Sequence, residues 1–309
     1  MSRLSIQGGR KAKAPAELLA HAVFALCGVT AIAAVLSITV YMIANGLPAL
    51  AQVGVKEILF STHWAPTAAE PSYGILYIIL TSLVGTAMAL IIGVPIGVLA
   101  AVFLAELAPR RVVKIMQPII ELLAGIPSVV YGLMGLMILN PLMYRAELAL
   151  YKNDPAHQFT GGSNLLSAVL VLAIMILPTV ISMSQSALEA VPAALKAGSL
   201  GVGASRLQTV FRVQLPAAKS GIITAVVLGV GRAIGEAMAI SLVSGSAVNF
   251  PLPFHSVRFL TTAIVSEMGY AADTHRMVLF TIGLVLFVFI MAINLILNRL
   301  LRRGGRGNG

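Results

Sequence analysis

The sequence predicts an all-α fold, a polytopic membrane bundle of six transmembrane helices. Of its 309 residues, 58% are hydrophobic and only 10% are charged, against about 25% charged residues in an average soluble protein. Long stretches without a formal charge recur, and each exceeds the roughly 20 residues that cross a ~30 Å hydrocarbon core. These observations exclude a soluble enzyme, a disordered chain and a coiled coil. The uncharged stretches are 18–43, 71–105, 122–144, 155–188 and 277–298.

The uncharged stretches and their flanks place the six spans along the chain. Four prolines inside these spans, Pro95, Pro118, Pro127 and Pro178, predict helices packed in a bundle, because neighbours must satisfy the carbonyls that a proline frees. The fifth span is the least hydrophobic, since Arg232 and Glu236 interrupt it. The predicted spans are 18–44, 74–104, 115–143, 164–186, 220–246 and 277–299.

Small residues four positions apart predict close contacts between helices. The pairs are Gly93 with Gly97 in the second span and Gly231 with Gly235 in the fifth. Cys27 is the single cysteine of the chain, so no disulfide framework is expected.

The positive charges orient the bundle. Fifteen of the 21 Lys and Arg residues lie in the two tails and in the connections after the second and fourth spans, whereas five lie in the opposite connections and Arg232 lies within a span. Positively charged loops stay in the cytoplasm during insertion. The sequence therefore predicts cytoplasmic basic tails at 1–16 and 301–309, a transmembrane domain at 17–300, and both termini inside.

The motifs of the common ATP-dependent and hydrolytic enzymes are missing. The sequence contains no GxxxxGK[ST] loop for nucleotide phosphates, no HExxH and no GxSxG, and its five histidines are scattered without metal-ligand spacing. We therefore expect no catalytic activity, metal or cofactor in this chain. An energy-requiring process would draw its energy from a partner.

The connection at 187–219 is unusually long and basic. Helical segments flank a glycine break at Gly201 and Gly203, and Ser205 with Gln208 forms a capping box that starts a second helix. Leu207, Val210 and Phe211 share one face of that helix, which Pro216 is predicted to end. The pattern alone leaves three positions open for this helix: on the inner leaflet, against its own bundle, or in the groove of a partner.

The end of this connection resembles the conserved cytoplasmic loop of ABC-importer permeases, whose pattern is EAA–x3–G–x9–I–x–LP. Gly203, Val213, Leu215 and Pro216 match it in type and spacing, and Ala204 and Ser205 follow the glycine. The Glu-Ala-Ala positions are occupied by Ala197, Gly198 and Ser199, so the motif's carboxylate is absent. The resemblance implies the type I permease architecture and a coupling loop at 187–219 that docks onto an ATPase subunit.

Further segments between about 70 and 300 resemble the permeases of Pst-type phosphate importers, the C-type subunit more than its A-type partner. They are IELLAGIPSVVYG at 120–132, ILPT at 176–179, VP at 191–192 and GVGRAIGEAMA at 229–239. The resemblance implies a multi-pass permease in the cytoplasmic membrane of a prokaryote. It also implies a second homologous permease, two ATPases carrying ATP and Mg, and an extracytoplasmic phosphate-binding protein as partners, with no nucleic acid.

Arg232 and Glu236 are the charged pair inside the fifth span. At a spacing of four they share one face of a continuous helix, and an ionisable group inside a membrane is by default a functional candidate. The guanidinium offers paired donors that suit an oxyanion, and Glu236 is expected to hold Arg232 while the path is empty. The alternative is a purely structural ion pair. In the resembling family these positions are implicated in phosphate translocation.

Three other acidic and basic positions receive simpler interpretations. Glu106 and Arg110 flank a short connection and are expected to be solvated, and Glu121 is expected to be solvated or to cap a helix. Two other function classes remain open at this point. One is an ABC permease for another solute, such as molybdate, sulfate or an amino acid, and the other is an ATP-independent channel or scaffold.

Overall fold

The computed structural model describes residues 15–305, and within that range the chain folds into helices and one two-stranded antiparallel hairpin. In the hairpin, β1 (Trp64–Ala65) pairs with β2 (Ser72–Tyr73). Three π-helical turns, at Phe103–Leu107, Gly135–Leu139 and Val210–Gln214, continue α3, α5 and α9. The helices are α1 Pro15–Gln52, α2 Val55–Phe60, α3 Leu76–Val102, α4 Arg110–Gly125, α5 Ser128–Met134, α6 Asn140–Tyr151, α7 Leu165–Glu189, α8 Ala193–Gly201, α9 Arg206–Thr209, α10 Leu215–Ala217, α11 Lys219–Gly235, α12 Met238–Val243, α13 Leu260–Glu267 and α14 Asp273–Gly305.

The predicted membrane bundle is confirmed. Five helical stretches in the described residues are long and apolar enough to span a membrane, and a sixth span results if the bent pair Arg206–Ala217 and Lys219–Gly235 counts as one. Residues 1–14 and 306–309 of the predicted basic tails lie outside the described residues, whereas α1 and α14 extend into both tails. The five stretches are Leu19–Gln52, Leu76–Leu107, Ser128–Tyr151, Leu165–Glu189 and Asp273–Ile296.

The third span does not begin at 115 as predicted. Residues 110–125 form a separate amphipathic helix, α4, and the spanning stretch runs from Ser128 to Tyr151. Ile126 is extended, with ψ of 130°, because the ring of Pro127 disfavours a helical conformation at the preceding residue. Pro127 therefore separates two helices, whereas Pro95, Pro118 and Pro178 lie inside helices.

The fifth span is also discontinuous. The predicted helix at 220–246 consists of α11 and α12, separated by Glu236 and Ala237, and Glu236 is extended with ψ of 128°. The helix that precedes α11 bends by 69° at the break near Ala218. This preceding helix, Arg206–Ala217, ends one residue after Pro216, close to the end predicted for it.

The helix α7 forms the centre of the bundle. Within its most apolar 18-residue window 67% of the residues are buried, whereas none are buried in the corresponding window of α1, so that part of α1 lies at the outside of the bundle. The contact of α3 with α7 depends on glycine, as predicted. A Cβ built on Gly93 would lie 2.7 Å from Ile176 Cδ1, and one on Gly97 would lie 2.7 Å from Val180 Cγ1.

The second predicted glycine pair does not make such a contact. A Cβ at Gly231 or Gly235 meets no atom within 4 Å in the described part of the chain. Their neighbour Gly229 takes that part instead, since its Cβ would lie 3.1 Å from Val180 Cγ2. Three glycines of α3 and α11 thus allow close approach to the central helix.

Replacing Gly93 with Leu is expected to destabilise the bundle by about 1–3 kcal/mol, because a larger side chain forces α3 away from α7. Thermal unfolding in detergent measures this effect. Gly28→Leu in α1 is the matched control, since a Cβ there meets no described atom within 4 Å. Equal unfolding temperatures for the two variants would contradict the glycine contact.

The end of the bundle opposite the 187–219 loop is well structured. The segment 145–163 begins with the end of α6, and Glu147 is fully buried. Its Oε1 accepts the Thr160 N–H at 2.9 Å and lies 2.9 Å from His157 Nε2. In the segment 247–276, Phe259 and α13 are packed inside the bundle.

Candidate functional site

Arg232 lies in the last turn of α11, half-buried within the bundle. Its Nη1 donates a hydrogen bond to Thr179 Oγ1 on α7 at 3.2 Å. The free carbonyls at the C-terminus of a helix favour a cation there. The position of Arg232 is therefore set by the end of its own helix and by a neutral hydroxyl of the central helix.

Glu236 lies in the break that follows α11, and its exposed fraction is 9%. Its Oε1 accepts the backbone N–H of Ala239, in the first turn of α12, at 2.9 Å. Its backbone carbonyl accepts the hydroxyl of Thr261 at 2.7 Å. The carboxylate thus caps a helix N-terminus, where negative charge is stabilised.

The predicted pairing of Arg232 with Glu236 is wrong. The two side chains form no salt bridge among those of the described residues. A spacing of four brings side chains together only in a continuous helix, and the chain leaves the helix at Glu236. Each charge is instead held near the helix end whose partial charge has the opposite sign.

The three membrane segments singled out in the sequence meet around Arg232. Tyr131 of α5 interacts electrostatically with Arg232, and its hydroxyl donates to the carbonyl of Leu123 at 2.7 Å. A Cβ on Gly132 would lie 2.8 Å from Ala239 Cα, so α5 and α12 are in backbone contact. Segments 120–132, 176–179 and 229–239 therefore form one site.

The guanidinium of Arg232 has further N–H donors that are available to bind a ligand. It carries five N–H groups, and within residues 15–305 its recorded hydrogen bond goes to Thr179. A half-buried cation without a carboxylate partner is suited to an oxyanion, because paired N–H donors match the geometry of phosphate. Thr179 was not singled out individually in the sequence, although it ends the 176–179 segment.

The 187–219 loop forms the second candidate site. Its predicted break and capping box are confirmed: Gln208 N donates to Ser205 Oγ at 3.2 Å, and Ser205 N donates to Gln208 Oε1 at 2.9 Å. Gly203 has φ of +88°, and a Cβ there meets no described atom within 4 Å. Glycine is favoured here because side chains disfavour this backbone region.

The apolar face predicted for the loop is divided in two. Val210 is buried against the bundle, whereas Leu207 and Phe211 are 56% and 50% exposed, and Val202 between α8 and α9 is 87% exposed. Of the predicted loop residues, five are exposed and four half-buried. The exposed ones are Ala197, Gly198, Gly203, Ser205 and Pro216, and the half-buried ones are Ser199, Ala204, Val213 and Leu215.

The loop and the charged site lie in the part of the chain that matches a known protein family. Residues 93–306 match the family described as the binding-protein-dependent transport system inner membrane component. The chain belongs to this family. Members are inner membrane parts of transport systems, so this chain is a transport component.

Similar proteins within the binding-protein-dependent transport family include two curated permeases. The probable ABC transporter permease protein YqgH of Bacillus subtilis (strain 168) is 38% identical over 292 residues, which cover 92% of this chain and 91% of the relative. The phosphate transport system permease protein PstC of Pasteurella multocida (strain Pm70) is 35% identical over 255 residues, 79% of each chain. Both alignments extend over most of the two proteins.

A solved structure confirms the fold of this transport family for the chain. A bacterial alginate ABC transporter, crystallised with a periplasmic protein bound to an alginate pentasaccharide, contains a chain that matches with a TM-score of 0.61. The sequences are 17% identical, and the match covers 91% of this chain and 94% of the other. The predicted type I importer permease architecture is thereby confirmed.

The environment of Glu106 differs from the sequence-based prediction. Glu106 was predicted to be solvated, but its side chain is only 7% exposed and pairs with Lys196 of α8. The π turn that ends α3 carries it towards the 187–219 loop. Arg110 and Glu121 are exposed as expected, and Gln117 Nε2 donates to Glu121 Oε1 at 3.4 Å.

The capping role of Glu236 predicts an effect on stability that can be measured separately from transport. Glu236→Gln keeps an acceptor for the Ala239 N–H, so thermal stability should stay close to that of the natural protein. Glu236→Ala removes the acceptor and should cost about 1 kcal/mol. Equal stabilities for the two variants would contradict the cap. Loss of transport in Glu236→Gln at unchanged stability would show that the charge itself is needed.

Proposed function

We propose that this chain is a permease subunit of an ATP-driven importer and that it moves inorganic phosphate across the cytoplasmic membrane. The observation that carries the proposal is Arg232, a half-buried guanidinium at the junction of α5, α7 and α11 with a neutral hydroxyl as its partner. The phosphate transport permease of Pasteurella multocida, 35% identical to this chain, supports phosphate as the substrate.

Arg232 and Glu236 are the residues we assign to the substrate path. Phosphate at neutral pH carries one to two negative charges, and its oxygens can replace Thr179 Oγ1 as the acceptor of the Arg232 donors. Phosphate oxygens carry negative charge and can meet two parallel guanidinium donors, whereas the Thr179 hydroxyl is neutral and accepts one, so the exchange favours the anion. Glu236 holds the break between α11 and α12, and its carboxylate is already engaged by Ala239.

The partners we propose supply the energy and the substrate. Two cytoplasmic ATPases carry ATP and Mg, a second homologous permease completes the path, and an extracytoplasmic phosphate-binding protein delivers phosphate. The chain itself binds no cofactor in this scheme. Both termini and the 187–219 loop lie in the cytoplasm, as the distribution of Lys and Arg favours.

The 187–219 loop is the proposed contact with the ATPase. Leu207, Phe211 and Val202 expose apolar side chains next to the capped start of α9. An apolar face flanked by basic residues suits docking into a groove of another protein. The loop does not need the motif glutamate for this contact, because Ala197 and its neighbour Gly198 are exposed and leave the surface apolar.

Uptake by a strain that has this permease as its sole phosphate importer tests the proposal. Radiolabelled phosphate should accumulate, and excess unlabelled sulfate, molybdate or amino acids should not compete. Accumulation of one of those solutes in place of phosphate would assign the permease to another substrate. Uptake that persists without the ATPase subunits would indicate a channel.

A further inference from the structure

The attachment of α8 to the membrane bundle is polar and small. None of the nine residues of α8 is buried, and its main packing contacts are with α9 and the π turn at Val210–Gln214. Two side-chain contacts of α8 are recorded in the described chain. Ser199 Oγ lies 2.9 Å from Thr209 Oγ1, within the loop, and Lys196 pairs with Glu106 at the end of the second span.

Glu106 also contacts the part of the loop that follows α9. Its Oε1 accepts a hydrogen bond from Gln214 Nε2 at 2.6 Å, while Oε2 pairs with Lys196. The side chain of Glu106 is 7% exposed, whereas that of Lys196 is 45% exposed. A single, nearly buried carboxylate thus receives one contact from α8 and one from the π turn after α9.

The surroundings of this contact make it mechanically important. A cavity of about 550 Å³ separates α8 and α9 from the end of the second span, and its lining includes Glu106, Lys196, Gln214, Arg110 and Thr209. Displacement of a packed element is passed on by the atoms that touch it. Across this cavity, α8 touches the second span through the Lys196 side chain.

The part of the loop formed by α9 and the π turn after it is attached to the bundle by apolar packing. Val210 and Ala218 belong to an apolar cluster with Ala101, Val102 and Leu188, which joins the ends of α3 and α7. Movement of α9 and the π turn therefore reaches the bundle through apolar packing as well. Movement of α8, the helix that carries Ala197 at the motif position, also reaches the second span directly, through the contact of Lys196 with Glu106.

We propose that Glu106 is a positioning residue that transmits movement of α8 to the second span during the transport cycle. The inference rests on the proposed coupling of the 187–219 loop to an ATPase. It assigns an intramolecular role to a carboxylate from outside the loop, next to the position where the motif glutamate is absent. The loop's own contact with the ATPase is left to its exposed apolar side chains.

The test uses the complete transporter, with its ATPases, second permease and binding protein, in proteoliposomes. Glu106→Gln and Lys196→Met each remove one charge of the pair, and the exchange Glu106→Lys with Lys196→Glu reverses it. The exchange leaves a lysine at 106 with an acceptor, because Gln214 Oε1 is buried and has no hydrogen-bond partner among the described residues. Glu189→Gln is the control, since Glu189 is paired with Gln185 of its own helix.

The amount of phosphate taken up per ATP hydrolysed is expected to fall about tenfold in Glu106→Gln and in Lys196→Met. An effect of this size is typical of residues that interact within one hydrogen-bond network. The ATPases should remain bound, Glu189→Gln should behave as the natural chain, and the charge exchange should restore most of the yield. An unchanged yield in both single variants, or no recovery in the exchange variant, would overturn the proposal.

The same assay separates this inference from the proposed function. A natural complex that takes up no phosphate refutes the phosphate assignment, whatever the variants do. In that case the stimulation of ATP hydrolysis by the binding protein still reports on Glu106. Stimulation that is lost in the single variants and regained in the exchange variant supports the positioning role, and equal stimulation in all of them overturns it.

Discussion

Phosphate uptake is expected to fall by roughly 100-fold when Arg232 is replaced with Ala, while the transporter still assembles. A hydrogen bond to a charged group contributes about 1.5–3 kcal/mol, and phosphate would lose a paired set of them. Arg232→Lys keeps the charge but loses the planar pair of donors, so an intermediate uptake is expected. Initial rates of radiolabelled phosphate uptake, normalised to the amount of assembled complex, measure both effects.

Two matched variants distinguish a specific role of Arg232 in the substrate path from general damage to the transporter. Thr179→Val removes the partner that phosphate replaces on Arg232 and leaves the guanidinium in place, so uptake should change by no more than about tenfold. Arg276→Ala removes an exposed arginine from the first turns of α14 and should leave uptake unchanged. Uptake by Arg232→Ala at the level of Arg276→Ala would remove Arg232 from the substrate path.

Replacing Gly203 with Asp is expected to release the ATPase and to abolish ATP-dependent uptake. The backbone at this position has φ of +88°, a conformation that costs a residue with a side chain about 1–2 kcal/mol. The new carboxylate would also lie beside the exposed apolar side chains of Val202 and Leu207. Docking of a partner there would remove its hydrating water, which is costly for an unpaired charge. Retention of the ATPase on the affinity-purified permease in mild detergent measures the loss.

Gly161→Asp is the matched control for that substitution. Gly161 also has positive φ, +64°, and open space around it, but it lies in the connection before α7, at the end of the bundle opposite the loop. The backbone cost is therefore similar while the 187–219 loop is untouched. Full ATPase retention by Gly203→Asp, or equal losses in the two variants, would contradict docking through the loop.

Much of the architecture could be predicted because membrane spans depend on length and apolarity alone. The uncharged stretches located α1, α3, α7 and α14, and the glycines at 93 and 97 marked the contact of α3 with the central helix. The capping box at Ser205 located the start of α9, since it requires two side chains at a fixed spacing. Each of these signals is local in sequence.

The errors in the third and fifth spans share one physical cause, the assumption of continuous helices. Pro127 was treated as a proline inside a span although it extends the residue before it, and Glu236 was placed one turn after Arg232 although the helix ends at Gly235. The second break has no proline or loop-like composition, so its signal is the carboxylate itself. The contact of Glu106 with Lys196 joins positions 90 residues apart, which no local pattern reports.

The most direct test of phosphate translocation through Arg232 is ATP-driven phosphate accumulation in proteoliposomes of the complete transporter. We expect accumulation that requires ATP on the loop side and the phosphate-binding protein on the opposite side. In the Arg232→Ala complex we expect accumulation to be about 100-fold slower, although the ATPases still bind and hydrolyse ATP. Phosphate accumulation that is undiminished in that complex, or accumulation of a different solute by the natural complex, would contradict the account.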